Sequence, residues 1–99
     1  MKTKKKQKNA YERTEFIQID ATSDVFELAD KLLLRTPLIL NFEGFDVIES
    51  NRFIMFLSGV IYALDGEVEV IREKILAFAV KSDLKDKSLR KFINKHKEK

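Results

Sequence analysis

Apolar residues alternate with polar ones over short stretches of this chain and recur at three- and four-residue steps over longer ones, which predicts strands and helices in turn. Residues 16–19 read as a first strand, with Ile17 and Ile19 on one face and Phe16 and Gln18 on the other. Ser23 is the expected N-cap of a helix whose first turn holds Asp24 and Glu27, where carboxylates suit the helix dipole. Its predicted buried face is Val25, Phe26, Ala29, Leu32 and Leu33, and Arg35-Thr36-Pro37 ends it, because proline disfavours helical geometry in the residue before it. Residues 38–43 are the next strand, with Leu38, Leu40 and Phe42 on one side and Ile39, Asn41 and Glu43 on the other. Gly44 suits a tight turn, and Asp46 followed by Glu49 resembles a capping box. A second helix then carries the apolar stripe Phe53, Ile54, Leu57, Val60, Ile61 and Leu64, which Met55 and Phe56 widen beyond what one sheet face needs. Asp65-Gly66 is the expected stop, with Gly66 taking a positive φ.

Residues 68–71 and 75–80 flank Arg72-Glu73-Lys74 and predict a hairpin. With Glu73 and Lys74 as the turn, Val68, Val70, Ile75, Ala77 and Ala79 share one face, and Ile71, Leu76, Phe78 and Val80 the other. Both faces are apolar, so one packs on the helices and the other requires a second cover, read here as a partner. Residues 83–96 predict a last helix, with Leu89, Phe92, Ile93 and His96 at helical spacing among lysines. The element order predicts an α/β fold: a single small α/β sandwich with a β-α-β-α-β-β core and two helices on one face of the sheet. Residues 1–13, aperiodic and basic, are expected to be a disordered arm, residues 14–81 the core domain, and residues 82–99 a basic C-terminal helix or tail.

Charge sharpens this division. Residues 1–13 hold five lysines, Arg13 and Glu12, a net of +5; residues 14–80 carry −7 and residues 81–99 again +5, within an overall +3. An acidic body does not grip phosphate backbones, which leaves the basic ends as the only surfaces for RNA or anionic lipid. The chain has no cysteine, which excludes disulfides and thiolate metal sites and suits a reducing cytoplasm. The basic start is followed by no apolar run, so no signal peptide is expected. Residues 53–64, interrupted by Ser58 and Gly59, are too few to span a bilayer.

Catalytic patterns are missing. His96 is the only histidine and lies between Lys95 and Lys97, a surface setting without a metal-binding or nucleophilic partner. Glu43, Asp46 and Glu49 are explained more simply by helix capping than by metal or acid–base work. Ser58-Gly59 lacks the first glycine of a nucleophile elbow and follows a helical run, and Gly44, Gly59 and Gly66 fit no phosphate-binding loop. The reading is of a protein that is not an enzyme and needs no cofactor. Gly59 stands out, since a glycine within a helix costs roughly 1 kcal/mol against alanine and asks for close packing, within the chain or against a second one.

The string Asn41-Phe42-Glu43-Gly44-Phe45-Asp46, followed by Phe56-Leu57-Ser58-Gly59 and Tyr62-Ala63-Leu64-Asp65-Gly66, resembles the SepF family of bacterial cell-division proteins, whose core carries N-L-E-G-L-D and then F-L-S-G-x-x-Y-A-L-D-G. The similarity covers about residues 16–80 and is most specific between Pro37 and Gly66. It implies a cytoplasmic, non-catalytic adaptor at the division site (septum or Z-ring) that forms homodimers or polymers, binds the C-terminal tail of the tubulin-like protein FtsZ, and links it to the membrane. Gly59, Phe56, Ile61 and Tyr62 are the self-association candidates. Val70, Leu76 and Phe78 on the two-sided hairpin are the candidates for the FtsZ tail. The family's N-terminal membrane helix has no counterpart in MKTKKKQKNAY, so Leu89, Phe92, Ile93 and Lys91 are the candidates for an anionic membrane surface. Two hairpin positions also depart from the family: Arg72 stands for a usual glycine and Val70 for a usual basic residue. The alternative reading, a small RNA- or ribosome-associated protein using its basic arms, would require basic and aromatic residues interleaved on the sheet, where Glu67, Glu69, Ile17 and Ile19 stand instead, so nucleic acid is not an expected partner.

Overall fold

The structure, a computed structural model, describes residues 7–98. Its elements in chain order are α1 (Ala10–Arg13), β1 (Glu15–Gln18), α2 (Val25–Leu33), β2 (Leu38–Asn41), α3 (Val47–Ala63), β3 (Gly66–Arg72), β4 (Ile75–Val80), α4 (Lys81–Lys85) and α5 (Lys87–His96). The four strands form one sheet in the order β1-β2-β4-β3, with β1 parallel to β2 and the other pairs antiparallel. The β-α-β-α-β-β core is as read, with α2 and α3 on one face of the sheet. Beneath them Ile19, Leu38, Leu40, Phe42, Leu76 and Phe78 pack with Leu28, Leu32, Phe53, Leu57 and Ile61 in the larger core cluster.

The opposite face is covered by the chain itself. Ile39, Ile71, Ala77 and Ala79 pack against Ala10, Leu84, Leu89 and Ile93, so the second cover that the two-sided hairpin demanded comes from α1, α4 and α5 and not from a partner. The expected arm therefore does not extend through residue 13. Asn9 caps α1 in a reciprocal box with Glu12, and Ala10 is buried. Periodicity could not show this, because a single helical turn buries only one small residue. Residues 1–6 of that arm lie outside the described residues.

Four local differences follow from capping and registry. Asp24, not Ser23, is the N-cap of α2; its carboxylate accepts from the Phe26 N–H at 2.8 Å, while the Ser23 hydroxyl accepts from the Asp20 N–H. The buried face of α2 is therefore Leu28, Ala29 and Leu32 with Val25, and Phe26 and Leu33 point outward. The expected helix over 83–96 is broken at Asp86, whose extended backbone ends α4 and whose carboxylate accepts from the Ser88 N–H and hydroxyl to start α5. After α3 the positive φ falls on Asp65, at 60°, and Gly66 begins β3.

The hairpin differs by one residue. Arg72 pairs with Ile75 around Glu73 and Lys74 as expected, but a bulge then follows, so Val70 faces Leu76, Val68 faces Phe78 and Gly66 faces Val80. The extra residue reverses the parity of β3. Val68 and Val70 join Leu76, Phe78 and Val80 on the α2–α3 side, and Ile71 joins Ala77 and Ala79 beneath α5.

Candidate functional site

Helix α3 starts where Asp46 accepts from the Glu49 N–H at 2.9 Å. The other half of the capping box is replaced by an ion pair, Glu49 with Arg52, at 3.0 Å. Capping and this pair account for both carboxylates, and Glu43 is engaged with Asn41, whose side chain accepts from the Glu43 N–H at 2.8 Å. Among the described residues, no three histidine, aspartate or glutamate side chains gather as a metal site. Nor is any helix among them long and apolar enough to cross a membrane.

From residue 53 to residue 64 the sequence contains no charge, yet α3 lies at the surface. Its inner side, Phe53, Leu57 and Ile61, is buried on the sheet. Its outer side shows Met55 at 76%, Tyr62 at 82% and Phe56 at 43% exposure. A surface helix in water normally carries charges there. Helix α2 extends the patch: the Phe26 ring stands edge-on to Phe56 at 5.5 Å between centroids, and Leu33 and Leu34 are also exposed. A Cβ built on Gly59 would meet nothing within 4 Å, so among the described residues no packing calls for glycine at that position. Gly66 is the opposite case: a Cβ there would lie 2.5 Å from Ile61 Cγ1 and 2.6 Å from the Ala79 carbonyl oxygen.

The structure thus brings Gly59, Phe56 and Tyr62 onto one exposed apolar face and adds Met55, which the sequence reading noted only as widening the stripe, and Phe26, which it assigned to the core. Ile61 lies beneath that face, buried against Gly66. Phe26 was assigned inward because its spacing from Ala29 and Leu33 imitates a core stripe. The lack of charge over 53–64 was the signal available for the face as a whole. The hairpin candidates also separate. All three lie on the α2–α3 side, but Phe78 is fully buried and Leu76 nearly so, which leaves Val70 exposed on the edge strand β3. Next to it a cleft of about 370 Å³ runs between α3 and β3, bordered by Ser58, Tyr62, Glu67 and Val68.

The fold that holds this face has as its match the family described as cell division protein SepF, over residues 15–82. The chain belongs to the SepF family of cell-division proteins. Among curated relatives named cell division protein SepF, it is 35% identical to one from Ruminiclostridium cellulolyticum over 74 residues, covering 70% of this chain and 47% of the relative. It is 40% identical over 53 residues to one from Lactobacillus delbrueckii subsp. bulgaricus and to one from Lactiplantibacillus plantarum, each time covering 54% of this chain and 38% of the relative. This SepF-family chain thus spans less than half the length of these relatives.

The family match stops at residue 82, and beyond it α5 is fixed to the sheet by charge. Arg90 donates to both carboxylate oxygens of Glu69, at 2.8 and 2.9 Å, and Lys97 Nζ adds a third contact at 2.8 Å. Hydrogen bonding from Arg90, joined by Lys97, lowers the Glu69 carboxyl to about 2 against the cost of its burial. Arg13 pairs with Asp83, and the Tyr11 N–H donates to the Ser88 hydroxyl, which binds α1 into the same layer. Two membrane-surface candidates, Leu89 and Ile93, are buried in this layer, and Phe92 is half-buried. Leu89 and Ile93 are thus spent on the sheet, while Lys91 faces solvent and Phe92 stays partly exposed.

Proposed function

We propose that this chain is a non-catalytic adaptor of the division site that self-associates through the outer face of α2 and α3 and takes up the C-terminal tail of FtsZ. The observation that carries the proposal is the uncharged, exposed side of α3 around Gly59, a glycine that intrachain packing does not require. An isologous contact there would bury Phe26, Met55, Phe56 and Tyr62 against their counterparts, and Gly59 would let the two helices approach closely. The tail is assigned to the neighbouring edge, where β3 offers unpaired backbone groups, Val70 stands exposed and the cleft beside Tyr62 has room for an apolar side chain.

Sedimentation tests the first half. The native chain should run as a dimer or larger species at micromolar concentration, and Gly59→Lys should shift it toward monomer far more than Lys31→Ala, which removes only a surface pair with Glu15. A native chain that is monomeric throughout would refute self-association. Pull-down with an FtsZ-tail peptide against a scrambled control tests the second half. Capture should survive added salt and deletion of residues 1–8, and should weaken with Val70→Asp. Loss of capture with salt or with that deletion would assign the tail to the basic ends instead. Because Leu89 and Ile93 are buried, flotation with anionic vesicles is expected only if α5 leaves the sheet.

A further inference from the structure

Helix α5 does not cover the whole second face of the sheet. It leaves a groove of about 340 Å³ across the strand ends, floored by Ile39 and Ile75 and walled by Phe16, Phe92 and His96, with Arg72 at its rim. On the other side of Phe92 a second hollow is bordered by Tyr11, Lys91 and Lys95. Tyr11, Phe16, Phe92 and His96 are in ring-to-ring contact, with centroids 4.4 to 6.0 Å apart, so Phe92 is a fixed ridge between two depressions. No aspartate or glutamate lines either hollow, while Arg72, Lys91 and Lys95 do, and none of these three forms an ion pair among the described residues. The nearby carboxylate of Glu43 is hydrogen-bonded to Asn41 Nδ2. Arg72 comes from the body whose residues 14–80 carry −7 and Lys91 and Lys95 from the basic segment 81–99, and together they set a cationic rim beside an apolar floor.

We infer that this groove is a second docking site, separate from the α2–α3 face, for an acidic peptide segment of a partner protein that carries a bulky apolar side chain. The apolar side chain sits between Phe92 and Ile75, and the flanking carboxylates meet Arg72 on one side of the ridge and Lys91 and Lys95 on the other. A free carboxylate offers charge but nothing for the floor. A nucleic acid would gain from the cations and the aromatic rings but carries no aliphatic or isolated bulky side chain for the floor of Ile39 and Ile75. Charge pattern and floor together favour the peptide.

The test uses the full chain and a fluorescein-labelled Asp-Asp-Phe-Asp-Asp peptide, followed by anisotropy and by NMR shift mapping. Binding should perturb Phe16, Ile75 and Phe92. Arg72→Glu, and independently Lys95→Glu, should weaken it roughly tenfold or more, as loss of a charge-assisted contact predicts. Replacing the peptide's Phe by Ser should weaken it comparably, whereas Met55→Asp on the helix face should leave it unchanged. Both charge reversals are at exposed positions, and an unchanged melting temperature confirms that they fold. The inference is overturned if the peptide fails to bind, if Arg72→Glu and Lys95→Glu leave its affinity intact, if the shifts map to α2 and α3, or if oligouridylate displaces the peptide at equal charge. Failure here would leave self-association through α3 untouched, since the two surfaces share no residue.

Discussion

Two glycines in this chain have opposite meanings, and the distinction can be measured. Gly66 is fixed by its neighbours: a methyl group there would overlap Ile61 and the Ala79 carbonyl, so Gly66→Ala should destabilise the fold by about 1–3 kcal/mol in chemical denaturation. Gly59 has open space around it, so Gly59→Ala should stabilise the isolated fold by up to about 1 kcal/mol, because alanine is the better helix former. If both substitutions destabilise alike, Gly59 is needed within the chain and its assignment to an intermolecular contact falls. Sequence alone marked both positions but reversed one reason: Gly66 was assigned a positive φ, which Asp65 adopts instead.

At the scale of elements, what was legible depended on how many residues carried the pattern. Helix α3 and β2 were located because many apolar positions agree, although β2 ends at Asn41, two residues short of the expected Glu43, and only Phe53, Leu57 and Ile61 of the α3 stripe are fully buried. The hairpin was located correctly and its faces misassigned, because a single bulged residue leaves composition unchanged while it inverts alternation. Helix α5 was visible as an amphipathic strip, but nothing in its spacing told a membrane from a sheet as its target. In the structure the ion pairs of Glu69 with Arg90 and Lys97 hold α5 on the sheet, and they are contacts between residues far apart in sequence. They also give α5 a pH dependence. The folded-state carboxyl lies near 2, below its ordinary value of 4.5, so its stabilisation is complete above that ordinary value and is lost as pH falls toward 2. Denaturation at about pH 6 and about pH 2.5 should show a difference that Glu69→Gln reduces, by on the order of 2 kcal/mol for a charge-assisted bidentate bond. An equal acid sensitivity in Glu69→Gln would remove Glu69 as its source.

The described residues present two unlike sides, an α3 face without charge from residue 53 to residue 64 and, across the sheet, a face on which α5 carries Lys87, Arg90, Lys91 and Lys95. If assembly uses the first, it is apolar in origin and should resist salt, since screening acts on exposed charge and little on buried apolar area. Light scattering of the native chain at about 0.1 M and about 0.5 M salt should then give the same mass, and Met55→Asp should lower it at both. A mass that falls with salt would move the contact to the basic face.

The contacts that close the basic face join parts of the chain 70 and 77 positions apart, Arg13 with Asp83 and Tyr11 with Ser88. Loop closure over such separations is costly before any packing repays it, so in folding this layer forms late and in local opening it leaves early. Hydrogen exchange should accordingly find the amides of α1 and α5 opening at lower free energy than those of β2 and β4. A newly made chain can then present its α3 face before α5 has closed over the sheet, so the order of folding sets the order in which its two sides become available to other molecules.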